Sequence, residues 1–196
     1  MKLCGLTGGV GMGKSTAAAF LSGRGAKIVD TDALAHELVC PGQPALDEIQ
    51  SVFGSKIISP DGSLRRKELG NLVFADSAAL KKLEAILHPR IRERWMARVE
   101  SWRSENCPMA VVVIPLLFET KAESHFDRII CVACSENARR ERLEARAWSP
   151  EQIQGRIAAQ MTVTEKMARA NFVIWSEGDI ENHSRQVDAI WDRMAA

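Results

Sequence analysis

The residues Gly8-Gly9-Val10-Gly11-Met12-Gly13-Lys14-Ser15 have the types and spacing to grip a phosphate chain. They satisfy the pattern G-x-x-x-x-G-K-[ST]. Glycines let backbone N–H groups converge on an anion, and a helix starting just after them adds a favourable dipole. Lys14 can reach the outer phosphates of a nucleoside triphosphate, and the Ser15 hydroxyl suits Mg²⁺. The pattern needs a strand before it and a helix after it. Both are present: Leu3 to Thr7 is a short apolar run that reads as a buried strand, and Thr16 to Leu21 is Ala-rich and reads as helix. The segment is therefore expected to bind a nucleoside triphosphate.

Transfer of a phosphoryl group to an alcohol also needs a carboxylate near the incoming hydroxyl and positive charge around the moving group. Asp30 and Asp32 follow the second apolar run. Two apart on an extended segment they would share a face, so both could look toward the triphosphate. The alternative is structural: Thr31 or Asp32 caps a helix beginning at Ala33. Arg139, Arg140, Arg142 and Arg146 form a second cluster, with Arg142 and Arg146 four apart on one helix face. They could close over phosphates, or form a solvated face paired with Glu136, Glu141 and Glu144. His88 and Glu119 complete the candidates. A lone histidine in a helical region is more often structural, and Glu119 either reaches the crevice or caps a turn.

These side chains need a scaffold. Apolar runs at Leu3–Thr7, Ala26–Val29, Met109–Ile114, Ile129–Cys134 and Phe172–Trp175 are separated by stretches with helical spacing. Alternation of this kind predicts a parallel sheet covered on both faces, and the runs show the weak polar alternation of strands buried on both sides. Right-handed crossovers then bring the C-terminal strand ends, including Gly8–Gly13 and Asp30–Asp32, to one crevice. Residues from about 35 to 105 show helical patterns without a central strand. Their stripe Ile91, Trp95, Val99, Trp102 reads as core, and His88-Pro89 is expected to mark a helix junction. A second insertion, about 136 to 169, is helical and arginine-rich.

Composition narrows the class. The chain has 196 residues, 46% hydrophobic and 26% charged, with a formal net charge of +1, which fits a folded domain and not a coat for nucleic acid or anionic membrane. No apolar run approaches the roughly 20 residues of a membrane helix. The N-terminal residues lack the zones of a signal peptide, and five cysteines suit a reducing compartment, so a cytoplasmic location is expected. Cys131 and Cys134 form a C-x-x-C, but in a strand they point to opposite faces and no second pair completes a zinc site, so they read as core.

Further segments narrow it more. Leu6 to Thr16 and Asp30-Thr31-Asp32 are followed by Phe53-Gly54, Asp61-Gly62, Leu64, Arg66, Leu69 and Val73-Phe74. Then come Leu83 to Pro89 with Ile91, Pro115-Leu116-Leu117-Phe118-Glu119, Arg142, Arg146 and Gln160-Met161. In this order, over nearly the whole chain, they resemble the dephospho-CoA kinase family. That family phosphorylates the ribose 3′-hydroxyl of dephospho-CoA. The resemblance implies an α/β, P-loop NTPase-type three-layer fold with a five-stranded parallel sheet, a helical acceptor-binding insertion and a helical lid. Residues 1–34, 106–135 and 170–196 would form the nucleotide-binding core, 35–105 the acceptor-binding region and 136–169 the lid. ATP would be the co-substrate, with Mg²⁺ on Ser15. Gly9, Gly11, Met12, Gly13, Lys14, Ser15 and Thr16 would hold the nucleotide. Asp32 would be the base, with Lys14, Arg142 and Arg146 catalytic beside it, and Asp32, Arg66, His88 and Leu116 would bind the acceptor. A cytoplasmic monomer follows, with dephospho-CoA as its small-molecule partner and neither nucleic acid nor membrane.

The chain departs from the family's usual pattern at several points. Val113 replaces an aspartate on the third strand, leaving Ser15, water and Asp30 or Asp32 to support the metal. Arg146-Ala147 replaces Arg-Asp, Asn171 and Trp175-Ser176 replace residues near the adenine, and His36 replaces an arginine. The rival readings are another small-molecule kinase, such as one for nucleoside monophosphates, and a nucleotide-dependent switch. A GTPase switch is disfavoured because neither Asn-Lys-x-Asp nor Asp-x-x-Gly occurs.

Overall fold

Five short strands of mostly apolar residues pair into one sheet in the computed structural model, which describes residues 1–195. They are β1 (Lys2–Thr7), β2 (Lys27–Asp30), β3 (Met109–Val113), β4 (Arg128–Ala133) and β5 (Phe172–Trp175), in the spatial order β2-β3-β1-β4-β5. The sheet is parallel: β1 pairs with β3 from Lys2↔Met109 to Leu6↔Val113, and with β4 from Cys4↔Arg128 to Thr7↔Cys131. The chain leaves β1 for β2 on one side and later returns to β4 on the other. That reversal opens a crevice at the C-terminal end of β1, where Gly8 follows.

The sheet lies in the first of two compact units, formed by Met1–Val29 and the chain from Ser101 on. Strand side chains alternate between two buried faces. Cys4, Leu6, Met109, Val111, Val113, Ile130, Val132 and Ile174 share one core with Ala17, Ala18 and Leu21 of α1 (Lys14–Gly23) and Val187, Ile190 and Met194 of α9 (Ile180–Ala195). A fully buried Leu or Ile in such a core contributes roughly 1.5–3 kcal/mol. On β1's other face Gly5 leaves room for Leu117 and Phe126; a Cβ there would lie 2.5 Å from Leu117. Burial on both faces explains why the strands read as unbroken apolar runs. The free edge of β5 is occupied by a side chain. Gln186 of α9 accepts from the Trp175 N–H at 2.8 Å and donates to its carbonyl at 2.9 Å, as a neighbouring strand would.

Three helices fill the second insertion: α6 (Glu136–Glu144), α7 (Pro150–Ala158) and α8 (Val163–Arg169). Ser149 and Thr162 start the last two with capping boxes closed by Gln152 and Glu165. Arg146 lies beyond the end of α6, in a turn, so Arg142 and Arg146 do not share a helix face as their spacing suggested. Ala147, next in the chain, has φ 60°, a left-handed conformation that costs a residue with a Cβ.

The second unit, Asp30–Glu100, is helical: α2 (Thr31–Leu38), α3 (Pro44–Phe53), α4 (Arg66–Ala75) and most of α5 (Ser77–Ser104). Its core gathers Leu38, Leu46, Ile49, Ile57, Leu69, Val73 and Ile86. Two expectations are corrected here. His88-Pro89 is no junction, because α5 runs through Pro89. Leu83, Ile86, Leu87 and Ile91 anchor the helix to one core on both sides of the proline, which outweighs the one helical hydrogen bond that Pro89 cannot give. Asp32 is not on an extended segment, nor does it or Thr31 cap a helix at Ala33. The helix starts at Thr31, and Asp30 caps it by accepting from the Asp32 N–H at 2.8 Å.

Candidate active site

Every carbonyl from Gly8 to Gly13 is engaged by a donor. Lys14 Nζ donates to the Gly8 and Gly9 carbonyls at 2.9 and 3.0 Å. Arg139 Nε takes the Val10 carbonyl at 3.0 Å and Arg142 Nη1 the Gly11 carbonyl at 3.4 Å. Ser176 Oγ donates to the Met12 carbonyl at 2.7 Å, and the Ala17 N–H to that of Gly13 at 3.1 Å. With its oxygens held this way, the loop is shaped to present N–H groups to an anion. Glycine is required at two points for different reasons. A Cβ on Gly8 would sit 2.3 Å from the Val132 carbonyl, so only glycine lets the loop leave β1 beside β4. Gly13 caps α1 at φ 88°, in the left-handed region, with Ser176 directly against it.

Of the four arginines, Arg140 and Arg146 are exposed, whereas Arg139 and Arg142 turn inward to the loop. Arg139 is 4% exposed, with Glu136 at 3.6 Å. Arg142 reaches the segment after β5, giving Nη1 to Ser176 Oγ at 2.9 Å and Nη2 to the Ser176 carbonyl at 2.5 Å. Arg142 and Arg146 then line, with Gly11, Gly13, Thr16, Ser176 and residues of the 178–183 segment, a cavity of about 220 Å³.

On the other side of the loop, α8 is fastened by a buried cation. Lys166 is fully buried, and its ammonium donates to the Pro115 carbonyl at 2.6 Å and to Glu119 Oε1 at 2.9 Å. Glu119 Oε1 also accepts from the Met161 N–H at 2.8 Å, while its neighbour Gln160 accepts from the Val10 N–H at 3.2 Å. Glu119 therefore neither caps a turn nor stands open to the crevice: it ties the turn before α8 to the segment after β3, and Gln160 ties that turn to the phosphate loop. The field of these cations is felt at Cys131, whose thiol is pushed up to about 11 by burial, with Lys166 and then Lys14 pulling it down. Cys134 is also raised by burial, and both thiols are free and buried, as expected for core residues.

The structure thus brings Gly9, Gly11, Met12, Gly13, Lys14, Ser15, Thr16, Arg142 and Arg146 together in the first unit. Leu116 is in the turn after β3, where its carbonyl accepts from Thr120. Asp32, Arg66 and His88 belong to the second unit, at the start of α2, the start of α4 and within α5. Sequence reasoning did not find Lys166, nor the bonds by which Ser176 holds the loop. Their partners are far away in the chain, so no local pattern marks them.

Comparison with known proteins adds an independent line. The family model described as dephospho-CoA kinase matches residues 2–182. A dephospho-CoA kinase of Symbiobacterium thermophilum is 41% identical over 192 residues, 97% of this chain and 80% of that one. Among solved structures, TT1252 from Thermus thermophilus superposes with a TM-score of 0.85 at 34% identity, covering 98% of this chain and 97% of the other. The dephospho-CoA kinase from Campylobacter jejuni gives 0.71 at 26% identity, covering 98% and 96%.

Proposed function

The chain belongs to the dephospho-CoA kinase family, which phosphorylates dephospho-CoA with ATP to give CoA, and on that premise we propose how its own residues divide the work. The observation that carries the reading is the loop from Gly8 to Gly13, with all its carbonyls engaged and Lys14 folded onto its first two.

The triphosphate lies along the backbone of Gly9 to Thr16. Lys14 exchanges the Gly8 and Gly9 carbonyls for the outer phosphate oxygens, and Arg142 and Arg146 stabilise charge from the cavity wall. Asp32 accepts the proton of the ribose 3′-hydroxyl as the oxygen attacks the γ-phosphorus, and ADP departs. Asp30, spent on the helix cap, leaves that role to Asp32. Arg66, His88 and Leu116 bind the acceptor, with residues 35–105 as its docking region and 136–169 as a lid. Lid closure keeps water from competing as acceptor.

The donor set fits Mg²⁺. Ser15 offers an exposed hydroxyl oxygen, and among the described residues no group of three His, Cys, Asp or Glu could cage a metal. Val113, buried in the core, brings no carboxylate from β3. This suits an ion that keeps most of its waters and is held largely by the triphosphate. Bound there, Mg²⁺ would neutralise charge building on the phosphate oxygens. No helix among the described residues is long and apolar enough to cross a membrane. The five cysteines are all free, which supports a reducing, cytoplasmic setting.

The test is direct. Purified protein incubated with ATP, Mg²⁺ and dephospho-CoA should give equal amounts of CoA and ADP by mass spectrometry. Asp32→Asn should turn over roughly 10²–10⁴-fold more slowly, the usual contribution of a general base. Near-normal turnover in that variant removes Asp32 from the role.

A further inference from the structure

Arg139, in α6, carries a charge that the fold has taken out of water. It is only 4% exposed, and burying an ion is costly unless groups of opposite sign repay it. Its carboxylate partner is Glu136, three positions earlier on the same helix. That pair is long, 3.6 Å from Nη1, and the Glu136 side chain is 69% exposed, so water screens most of the attraction. Nε is spent on a neutral group, the Val10 carbonyl at 3.0 Å. Burial accordingly holds the pKa of the guanidinium below its ordinary value, with Glu136 pulling it back up. An arginine stays charged at pH 7 all the same. The repayment visible within the protein is therefore partial.

The place of that charge gives it a use. Arg139 Nη2 lies so close to Gly9 that a Cβ there would be 2.8 Å from it. The Val10 carbonyl and the Gly11 N–H belong to one peptide unit, and a trans peptide points them in opposite directions. With the oxygen bonded to Arg139, the Gly11 N–H is directed away from the guanidinium, and Gly11 lines the cavity that Arg142 and Arg146 also line. A cation on the oxygen polarises the whole unit and makes that N–H a stronger donor. Arg142 and Arg146 offer their charge from the cavity wall. Arg139 offers its own from behind the backbone, where little water screens it.

We propose that Arg139 is a positioning residue that charges the phosphate loop from behind, with the triphosphate as the counterion that Glu136 supplies only in part. The attraction passes through the backbone of Gly9 to Gly11 without contact between guanidinium and phosphate. This rests on the reading of the loop as the triphosphate site.

Calorimetric titration with ATP, ADP, AMP and inorganic tripolyphosphate tests it. Arg139→Gln removes the charge and keeps an N–H donor for the Val10 carbonyl; Arg139→Lys keeps the charge. Loss of a unit charge this close should raise the dissociation constants of ATP and tripolyphosphate roughly tenfold in Arg139→Gln. ADP should lose less and AMP least, and Arg139→Lys should recover part of the loss. Wild-type ATP affinity in Arg139→Gln overturns the proposal. So does an equal loss for all three nucleotides, or a lysine variant no better than the glutamine one, since a loop held only by a hydrogen bond would behave in those ways. Glu136→Gln leaves the core untouched and carries the opposite sign. Releasing Arg139 from its screened partner should tighten tripolyphosphate roughly two- to threefold. Glu141→Gln, on the same helix and likewise exposed, should stay closer to wild type. Equal effects of these two, or weaker binding by Glu136→Gln, overturn the proposal even if the Arg139 variants do not fold. A wild type that binds neither ATP nor tripolyphosphate overturns the triphosphate reading itself, a result distinguishable from the others.

Discussion

Arg142 holds Ser176 from two sides, Nη1 on the hydroxyl at 2.9 Å and Nη2 on the carbonyl at 2.5 Å. Ser176 in turn donates to the Met12 carbonyl and stands directly against Gly13. One guanidinium thus fixes α6, the segment after β5 and the phosphate loop relative to each other. The planar fork serves hydroxyl and carbonyl from two different nitrogens held in one fixed geometry.

Arg142→Lys should therefore be far from conservative. It keeps the positive charge and loses the two-sided grip. Losing one charge-assisted hydrogen bond costs about 1.5 kcal/mol or more, so the KM for ATP should rise about tenfold. Initial rates against ATP concentration check this. A KM unchanged in the lysine variant would mean that charge alone matters at this position.

Lys166 and Glu119 set a different expectation, for stability. Lys166 is fully buried, and Glu119, though its side chain is 22% exposed, has Oε1 on Lys166 and the Met161 N–H and Oε2 buried without a hydrogen-bond partner. Replacing one member of a buried pair by an apolar residue leaves the other charge uncompensated. Lys166→Met should cost about 3 kcal/mol in urea unfolding, with a smaller further loss when Glu119→Gln is added. Simple additivity of the two losses would show that they do not act as a pair.

The parts legible in the sequence were those whose reasons are local. Gly8 to Ser15 carries its chemistry in one short stretch, and the strands are legible because burial on both faces leaves them apolar throughout. His88-Pro89 predicts a junction that α5 does not show, because the support is tertiary: the core around Ile86 and Ile91 holds both halves of the helix. For Asp30 and Asp32 the spacing allows an extended pair or a cap on a helix at Ala33; a single cap bond from Asp32 N–H to Asp30 Oδ1 instead starts the helix at Thr31. The phosphate loop itself is completed by distant residues. Arg139 is 129 positions from Val10, and Ser176 is 164 from Met12. Nothing in the local spacing of either residue reveals those bonds.

His183 gives a pH dependence with a definite sign. Its folded-state pKa is lowered, first by burial and then by Arg142, so the native protein binds this proton less readily than the unfolded chain. The stability it contributes is complete above the unfolded value of about 6.5 and is lost as pH falls through the folded value. Between those two points the slope should not exceed about 1.4 kcal/mol per pH unit. Unfolding midpoints from pH 7.5 down to about 4.5, compared with His183→Leu, isolate this proton from the carboxylates. Parallel curves for the two proteins would show that His183 titrates alike in both states.

Ala147 offers the opposite test, a position where the native residue opposes the backbone. Its φ of 60° lies in the left-handed region, which costs a residue with a Cβ roughly 1–2 kcal/mol. The conformation closes the turn after α6, where the N–H groups of Arg146, Ala147 and Trp148 donate to the Leu143 and Glu144 carbonyls. Asparagine tolerates this region better than alanine because its short polar side chain can bond locally. Ala147→Asn should accordingly stabilise the protein by about 0.5–1 kcal/mol. Ala147→Gly should gain less, since glycine also adds freedom to the unfolded chain. Thermal unfolding of the three proteins gives the order. Arg146, one residue earlier, lines the cavity beside Gly11 and Gly13, so a firmer turn should hold it closer to one position. If Ala147→Asn unfolds at or below the wild-type temperature, the strain at this position is not a cost the fold carries.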